Sequence, residues 1–337
     1  MKKKIFISGG AGFIGCNVAK LHLDKGDNVI VYDNLSRSGS ELNLAWLKEQ
    51  RGEFKFINGD IRDYDGLKKN IKGVDVIYHE AAQVAVTTSL TNPTDDFEIN
   101  ARGTFNMLEA YRTNAKEASF IYASTNKVYG GLDDVGCKIK GKRYEITSKD
   151  YLKGISEERP LDFHSPYGCS KGAGDQYVRD YGRVYDLNTI VFRQSCIYGQ
   201  RQFGNEDQGW VMFFIRTILS GKKLTVYGNG KQIRDILHVN DLLNAYQIAL
   251  ATPKKSKNKI YNVGGGMANS ISLLELLDIL KNHTSSKIAP AFSYWREGDQ
   301  KFYVSDNSLI FKELGWKPKI DKDRGIEMLI AWAKELL

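Results

Sequence analysis

The chain is sparing with residues that could tie it together covalently or through a metal. Four cysteines, Cys16, Cys137, Cys169 and Cys196, are scattered over 337 residues. No two form a C-x-x-C pair, which argues against a zinc or dithiol redox centre, and scattered free thiols fit a reducing cytoplasm. The five histidines show no metal-ligand spacing, so no metal is expected. No apolar run approaches the roughly 20 residues needed to span a bilayer. The start, Met1-Lys2-Lys3-Lys4, leads through Ile5-Phe6-Ile7-Ser8 straight into glycine, without the apolar stretch and cleavage site of a signal peptide. A cytoplasmic protein with no membrane role is expected. Internal repeats and low-complexity linkers are lacking too. The formal net charge is +8, yet no clustered basic helix or stacking motif accompanies it, which speaks against nucleic acid. The surplus leaves a lysine-rich surface or an attraction for anionic ligands such as pyrophosphates. Hydrophobic residues at 42% and charged residues at 26% belong to an ordinary soluble globular chain.

What is present is a regular alternation. Lys4–Ser8, Asn28–Tyr32, Phe54–Asn58, Val74–Tyr78, Ser119–Ala123 and Thr189–Phe192 read as strands, and Phe13–Asp24 as a helix. Strands alternating with helices imply a parallel sheet covered on both faces. Residues 130–160 turn polar and irregular, an excursion over the surface. Beyond residue 200 the regularity weakens. Trp210–Leu219 and Asp241–Ala251 are helix candidates, Leu224–Tyr227 and Ile260–Val263 strands. Ser272–Asn282 reads as a helix opened by a serine cap with Glu275 three residues on.

Gly10-Ala11-Gly12-Phe13-Ile14-Gly15 lies between the first strand and the first helix, and Gly9 extends the glycine run. G-x-G-x-x-G in that context lets backbone amides approach a pyrophosphate at a helix N-terminus. An acidic residue about 20 positions on is needed for the adenosine ribose, and Asp33 ends the second strand. A carboxylate there would repel a 2′-phosphate, which favours NAD over NADP, although Arg37 stands close. Gly59-Asp60-Ile61 follows a later strand, where Asp60 could reach the adenine amino group. Ala81-Ala82 ends the fourth strand with side chains small enough for a cofactor to lie across it. The fold class is therefore α/β: a doubly wound Rossmann sheet with a smaller C-terminal substrate-binding cap. Residues 1–190 form mainly the NAD-binding part, with contributions from 225–265, and 191–337 form mainly the cap.

Tyr167-Gly168-Cys169-Ser170-Lys171 is Y-x-x-x-K, whose two ends share a face if helical. An ammonium beside a phenol favours phenolate and would draw its pKa from about 10 toward neutrality. The phenolate could then take a proton from a substrate hydroxyl. Ser124 and Thr125, after the strand Ser119–Ala123, lie where ligands bind in open α/β sheets, and either hydroxyl could orient the substrate.

These motifs together resemble the extended short-chain dehydrogenase/reductases, the NAD-dependent epimerase/dehydratase family, from end to end. They are joined by Asp33-Asn34-Leu35, Ser124-Thr125-Asn126-Lys127-Val128-Tyr129-Gly130, Val226 to Asp235 and Arg296-Glu297-Gly298-Asp299. The resemblance implies bound NAD as cofactor, contacted by Gly9, Gly12, Phe13, Ile14, Gly15, Asp33, Asn34, Asp60, Ile61, Ala81, Ala82, Tyr167 and Lys171. It selects Thr125 over Ser124 as catalytic hydroxyl, beside Tyr167 as acid/base and Lys171 as its partner. It makes Arg234 and Arg296 a clamp on the diphosphate, for which a bidentate guanidinium is suited. The substrate it implies is a nucleotide diphosphate sugar. Thr87-Thr88-Ser89, Ser124 to Gly130, Phe163 to Gly172, Arg201-Gln202-Phe203 and Asp207 to Val211 most resemble the branch that epimerises a CDP-linked 3,6-dideoxyhexose at C2. There, Thr88, Thr125, Asn126, Ser195, Gln208, Arg234 and Arg296 are expected at the substrate.

Two departures carry information. Dehydratases of the family have Thr-Asp-Glu where this chain has Thr125-Asn126-Lys127, so elimination of water is not expected. Cys196 replaces an asparagine that contacts phosphate in many relatives and is a poor donor, which leaves that contact to backbone or to Ser195. The expected reaction is redox-neutral: Tyr167 takes the C2 hydroxyl proton, NAD takes and returns the hydride, and a 2-keto sugar turns over in between. A 4-epimerase or oxidoreductase on a UDP- or GDP-linked sugar is the alternative, and a non-catalytic NAD-binding regulator a more distant one. The resemblance also implies a homodimer or homotetramer, paired through helices at Thr104–Thr113 and Ser170–Val184.

Overall fold

The computed structural model describes residues 2–284, 289–296 and 298–336. In chain order the strands are β1 (Lys4–Ser8), β2 (Asn28–Asp33), β3 (Phe54–Asn58), β4 (Val76–His79), β5 (Ser119–Thr125), β6 (Cys137–Lys140), β7 (Arg143–Ile146), β8 (Asn188–Gln194), β9 (Cys196–Tyr198), β10 (Thr225–Tyr227), β11 (Ile233–His238), β12 (Lys259–Val263), β13 (Ser270–Ser272), β14 (Ala291–Ser293) and β15 (Phe302–Tyr303). Seven of them make one sheet in the order β12-β8-β5-β4-β1-β2-β3, and every pairing in it is parallel.

The strands alternate in what they bury, as the two-residue period requires. Ile5 and Ile7 face a core with Val18, Ala19, Leu242 and Tyr246. Phe6 faces the opposite core with Met107, Leu108, Tyr111 and Val178. Helices cover both faces, so the strands read as nearly continuous apolar runs. Each fully buried side chain of this size contributes about 1.5–3 kcal/mol. A third core, including Val211, Phe214, Ile215, Ile236, Leu276, Leu280 and Trp332, belongs to the later part of the chain. There the helix Leu273–His283 opens with a reciprocal cap: Glu275 N–H donates to Ser272 Oγ at 3.1 Å, and Ser272 N–H to Glu275 Oε2 at 2.8 Å.

The stretch 130–160 departs from its expected irregularity. Cys137–Lys140 and Arg143–Ile146 pair as an antiparallel hairpin, exposed or half-buried along its length. The strand order reverses between β1 and β4, and a crevice opens beyond the carboxyl ends of the strands at such a switch point.

Candidate active site

The turn between β1 and the helix Phe13–Asp24 is drawn so tightly that two glycines are obligatory. Gly9 has φ +72°, and a Cβ on it would lie 2.6 Å from the Ala81 amide nitrogen. A Cβ on Gly15 would lie 2.1 Å from the Gly9 carbonyl oxygen. No side chain caps this helix, so its first N–H groups remain open to an anion. Phe13 and Ile14 line the cleft above it. Asp33 sits beside the turn, accepting from Ala11 N–H at 3.0 Å and Leu35 N–H at 2.8 Å. Burial raises its pKa against these bonds. The carboxylate is thus held in place by backbone, with acceptor capacity left for ribose hydroxyls. These features fit a dinucleotide. Ala81 approaches the turn closely, and Ala82 lines the cleft.

Asp60 is already engaged within the chain. Its oxygens already accept from Arg62 N–H, Nε and Nη2 and from Asn34 Nδ2, at 2.8–3.0 Å, and Arg62 is the main cause holding its pKa down at about 2. All four acceptor positions of the carboxylate are taken, so contact with an adenine amino group needs one of these bonds to give way. Ile61 is buried in the core.

At the other end of the cleft β5 delivers two hydroxyls in opposite directions. Ser124 Oγ donates to the buried Asp175 at 2.7 Å, and Asp175 is also held by Arg193 through Nε at 2.9 Å and Nη2 at 3.0 Å. Ser124 is therefore part of a buried ion-pair network. Thr125 instead stands beside the Tyr167 phenol and, with the charge of Arg37, is what favours its phenolate; its hydroxyl donates to Asn126 Oδ1 at 3.4 Å and accepts from the Lys127 amide at 3.2 Å. Tyr167 and Lys171 lie one turn apart on the helix Ser165–Val184, and all three residues line one cleft of about 360 Å³. The Tyr167 amide donates to Ser89 Oγ at 3.1 Å, which fixes the start of that helix against Val86–Thr91.

The electrostatics correct one expectation. Burial pushes the Tyr167 phenol up to about 12, and Asp96 adds to it. Lys171 is not among the groups that move it. Burial instead brings Lys171 down to about 8, against the pull of Glu80, Asp175 and Asp96. The ammonium lies 4.3 Å from the centre of the Tyr122 ring. Glu80, raised to about 7 by burial, accepts from Tyr246 OH at 2.9 Å, which accepts from Gln194 Nε2 at 2.7 Å.

Among the expected substrate contacts, Asn126, Gln208, Arg234 and Arg296 line the same cleft. Thr88 does not: it is exposed, and its neighbour Thr87 lines the cleft with a buried Oγ1 that has no partner among the described residues. Ser195 reaches the cleft, but its hydroxyl is turned to the carboxylate and carbonyl of Asp235. Burial pushes the Cys196 thiol up, which argues against a reactive thiolate there. Arg296 stacks on Tyr227 at 3.8 Å and pairs with Glu206 at 3.3 Å and Asp207 at 3.5 Å. Glu297 of the same motif lies outside the described residues. Among those residues no cluster of His, Cys, Asp and Glu could hold a metal ion, and no helix is long and apolar enough to cross a membrane.

The segment 200–208 closes over the cofactor side. Asn17 Nδ2 donates to the Gln200 carbonyl at 3.1 Å, and Asn43 Nδ2 to the Arg201 carbonyl at 3.2 Å. The Arg201 guanidinium lies over Trp46 at 4.4 Å and Trp332 at 5.6 Å. Arg37 Nη2 donates to Gln208 Oε1 at 2.6 Å, so the residue that raised the question of a 2′-phosphate serves here as part of this closure.

The family model described as GDP-mannose 4,6 dehydratase matches residues 6–329. The chain belongs to this family. Family membership does not decide which reaction is catalysed, since its relatives differ. The chain is 43% identical to the CDP-paratose 2-epimerase of Salmonella typhi over 340 residues, 99% of this chain and 100% of that protein. Its fold matches the UDP-glucose 4-epimerase of Thermotoga maritima, solved with UDP-glucose, with a TM-score of 0.85, 28% identity and 99% of both chains covered. It also matches the UDP-glucuronic acid 4-epimerase of Bacillus cereus, solved with UDP-glucuronic acid and NAD, at a TM-score of 0.83, 26% identity and coverage of 99% and 100%. The doubly wound parallel sheet expected from the sequence is the fold these family members share.

Proposed function

We propose that this enzyme is an isomerase that uses bound NAD to invert one carbon of a nucleotide sugar, with CDP-paratose as substrate and CDP-tyvelose as product. The observation that carries the reading is the convergence of Thr125, Tyr167 and Lys171 on one cleft beyond the glycine turn, with Asn126 and Lys127 where dehydratases carry carboxylates. NAD, when bound, supplies the hydride acceptor and donor. The chain's own task is proton transfer and placement. Tyr167 takes the proton of the C2 hydroxyl and later returns it, with Thr125 beside the phenol favouring its phenolate. A phenol raised to about 12 by burial is a strong base once ionised, so its phenolate takes the C2 proton readily, and Thr125 and the charge of Arg37 are the groups that favour that ionised form. Arg234 and Arg296 hold the nucleotide while the 2-keto sugar turns over. Buried surroundings strengthen each of these interactions.

We further propose that two copies pair through the helices Gly103–Asn114 and Ser165–Val184. Phe105, Tyr177 and Val184 on them, and Tyr185 just beyond, are exposed, an apolar surface of the kind that marks an interface. A homotetramer would be a pair of such pairs. The scattered thiols, free in the structure, support a cytoplasmic setting.

Proton NMR of the purified protein with CDP-paratose in D₂O, without added NAD, tests the activity. CDP-tyvelose with its C2 proton retained is the expected product. Inversion at C4 of a UDP- or GDP-linked sugar, with CDP-paratose unchanged, would overturn the C2 assignment. A stoichiometric demand for added NAD would overturn the epimerase assignment.

A further inference from the structure

Two cations meet in the cleft with little negative charge between them. Lys127, in the turn after β5, reaches the segment leading into β15. There its ammonium donates to the Gly298 carbonyl at 2.9 Å and lies 3.5 Å from Gln300 Oε1. An ammonium has three donors, and among the described residues these two acceptors are its only partners. Arg234, from β11, spends Nη1 on the Ile233 carbonyl at 2.8 Å and the Gln300 carbonyl at 2.7 Å, while Nη2 lies 3.7 Å from Asp299. Three groups face Lys127: Arg234 from β11, Asp299 from the segment after Gly298, and the Cys196 thiol from β9. Burial first, and Arg234 second, bring the ammonium down to about 8. Two like charges sharing one partly exposed carboxylate in a low-dielectric cleft are relieved when an anion enters between them.

We infer that Lys127 and Arg234 together seat the diphosphate of the nucleotide sugar. Lys127 provides there the donor that its neighbours do not, because Ser195 is engaged by Asp235 and a thiol is a poor donor. The inference rests on the nucleotide-sugar reading. It gives the position where dehydratases carry a glutamate a binding role in place of an acid–base one. Thr125 and Tyr167, which line the same cleft, then do the proton chemistry without it.

Calorimetric titration of the holoenzyme with CDP and with cytidine tests it. Lys127→Met should weaken CDP roughly 10- to 100-fold, the loss of one charge-assisted contact, and leave cytidine unchanged. Lys127→Arg should stay within about threefold of the wild type, because it keeps the charge. The wild type's affinity for CDP should fall as pH rises above about 8, where Lys127 loses its proton. The phosphate, with a second pKa of about 6, is already ionised there. Lys171 titrates in the same range, so the decisive point is that the fall disappears in Lys127→Arg. Equal losses for CDP and cytidine, unchanged CDP binding in Lys127→Met, or a pH fall that persists in Lys127→Arg would each overturn the inference. Should Lys127→Met fail to fold, the pH comparison of wild type with Lys127→Arg still decides. A wild type that binds none of CDP, UDP and GDP overturns the nucleotide-sugar reading and the inference together. Binding that ignores Lys127 overturns the inference alone.

Discussion

Ser124 and Thr125 are adjacent hydroxyls on one strand, and their surroundings separate them: Ser124 is held in a buried ion-pair network, and Thr125 is the one proposed to act with Tyr167. Ser124→Ala removes a 2.7 Å bond to the buried Asp175 carboxylate. A hydrogen bond to a charged group is worth about 1.5–3 kcal/mol. Unfolding 337 residues at roughly 2.1 cal/mol/K per residue gives an entropy near 0.7 kcal/mol/K, so the melting temperature should fall by about 2–4 °C. The rate should change little, because Arg193 still holds Asp175 through two bonds. Thr125→Val keeps the shape and removes the hydroxyl beside the Tyr167 phenol. Its kcat/KM should fall about 10²- to 10³-fold, the scale of one lost polar contact in a reacting site. Its stability should hold within about 1 kcal/mol, since the hydroxyl's bonds are long ones, 3.2 Å from the Lys127 amide and 3.4 Å to Asn126 Oδ1. The assay is steady-state epimerisation of CDP-paratose beside a thermal melt of each variant. A Ser124→Ala enzyme that loses as much rate as Thr125→Val would refute the division of labour.

Two further perturbations test other parts of the site. Gly15→Ala forces a Cβ to within 2.1 Å of the Gly9 carbonyl, where only backbone could yield. NAD should bind at least about tenfold more weakly, a loss of roughly 1.4 kcal/mol, read from the coenzyme content of the purified protein and a titration. Glu80→Gln removes a negative charge that holds the Lys171 pKa up. Glu80, at about 7, is ionised over the range where Lys171 titrates. The alkaline limb of the pH–kcat profile should therefore move toward lower pH by about one pH unit. An unmoved limb would show that Lys171 does not govern it.

The centre of the sheet was legible because its strands are buried, as Lys4–Ser8 and Val76–His79 are along almost their whole length; the edge strand Phe54–Asn58, half-buried at best, also stands where the sequence places it. The strand Ser119–Ala123 runs two residues further, to Thr125, because parallel pairing with β8 continues through polar side chains. The hairpin Cys137–Ile146 was not legible, since half-exposed strands of mixed charge lack a hydrophobic alternation. Within the site, motif spacing located Tyr167, Lys171 and Asp33 because each depends on local geometry. It does not say which acceptors are already engaged: Asp60 accepts from Arg62, two residues on, and from Asn34, and Ser195 is engaged by Asp235, 40 residues away. Thr87 and Thr88 are indistinguishable as letters, and only the phase of the helix Val86–Thr91 against the cleft tells them apart. The uncharacteristic Lys127 was visible as a departure, yet its approach to Arg234 depends on β11 arriving beside it.

The closure over the cofactor side has a consequence for how the reaction is driven. Asn17, Asn43 and the Trp46–Arg201–Trp332 stack fasten the segment 200–208 through bonds internal to the chain, independent of the sugar. In the proposed reaction the coenzyme is spent and restored within one turnover, so a coenzyme that stays bound behaves as a fixed part of the catalyst, and the oxidised-to-reduced ratio of the cell's dinucleotide pool then has no leverage on the direction of the reaction. The balance between the two epimers is left to the sugars themselves, and net flow in one direction requires a following step that removes the product.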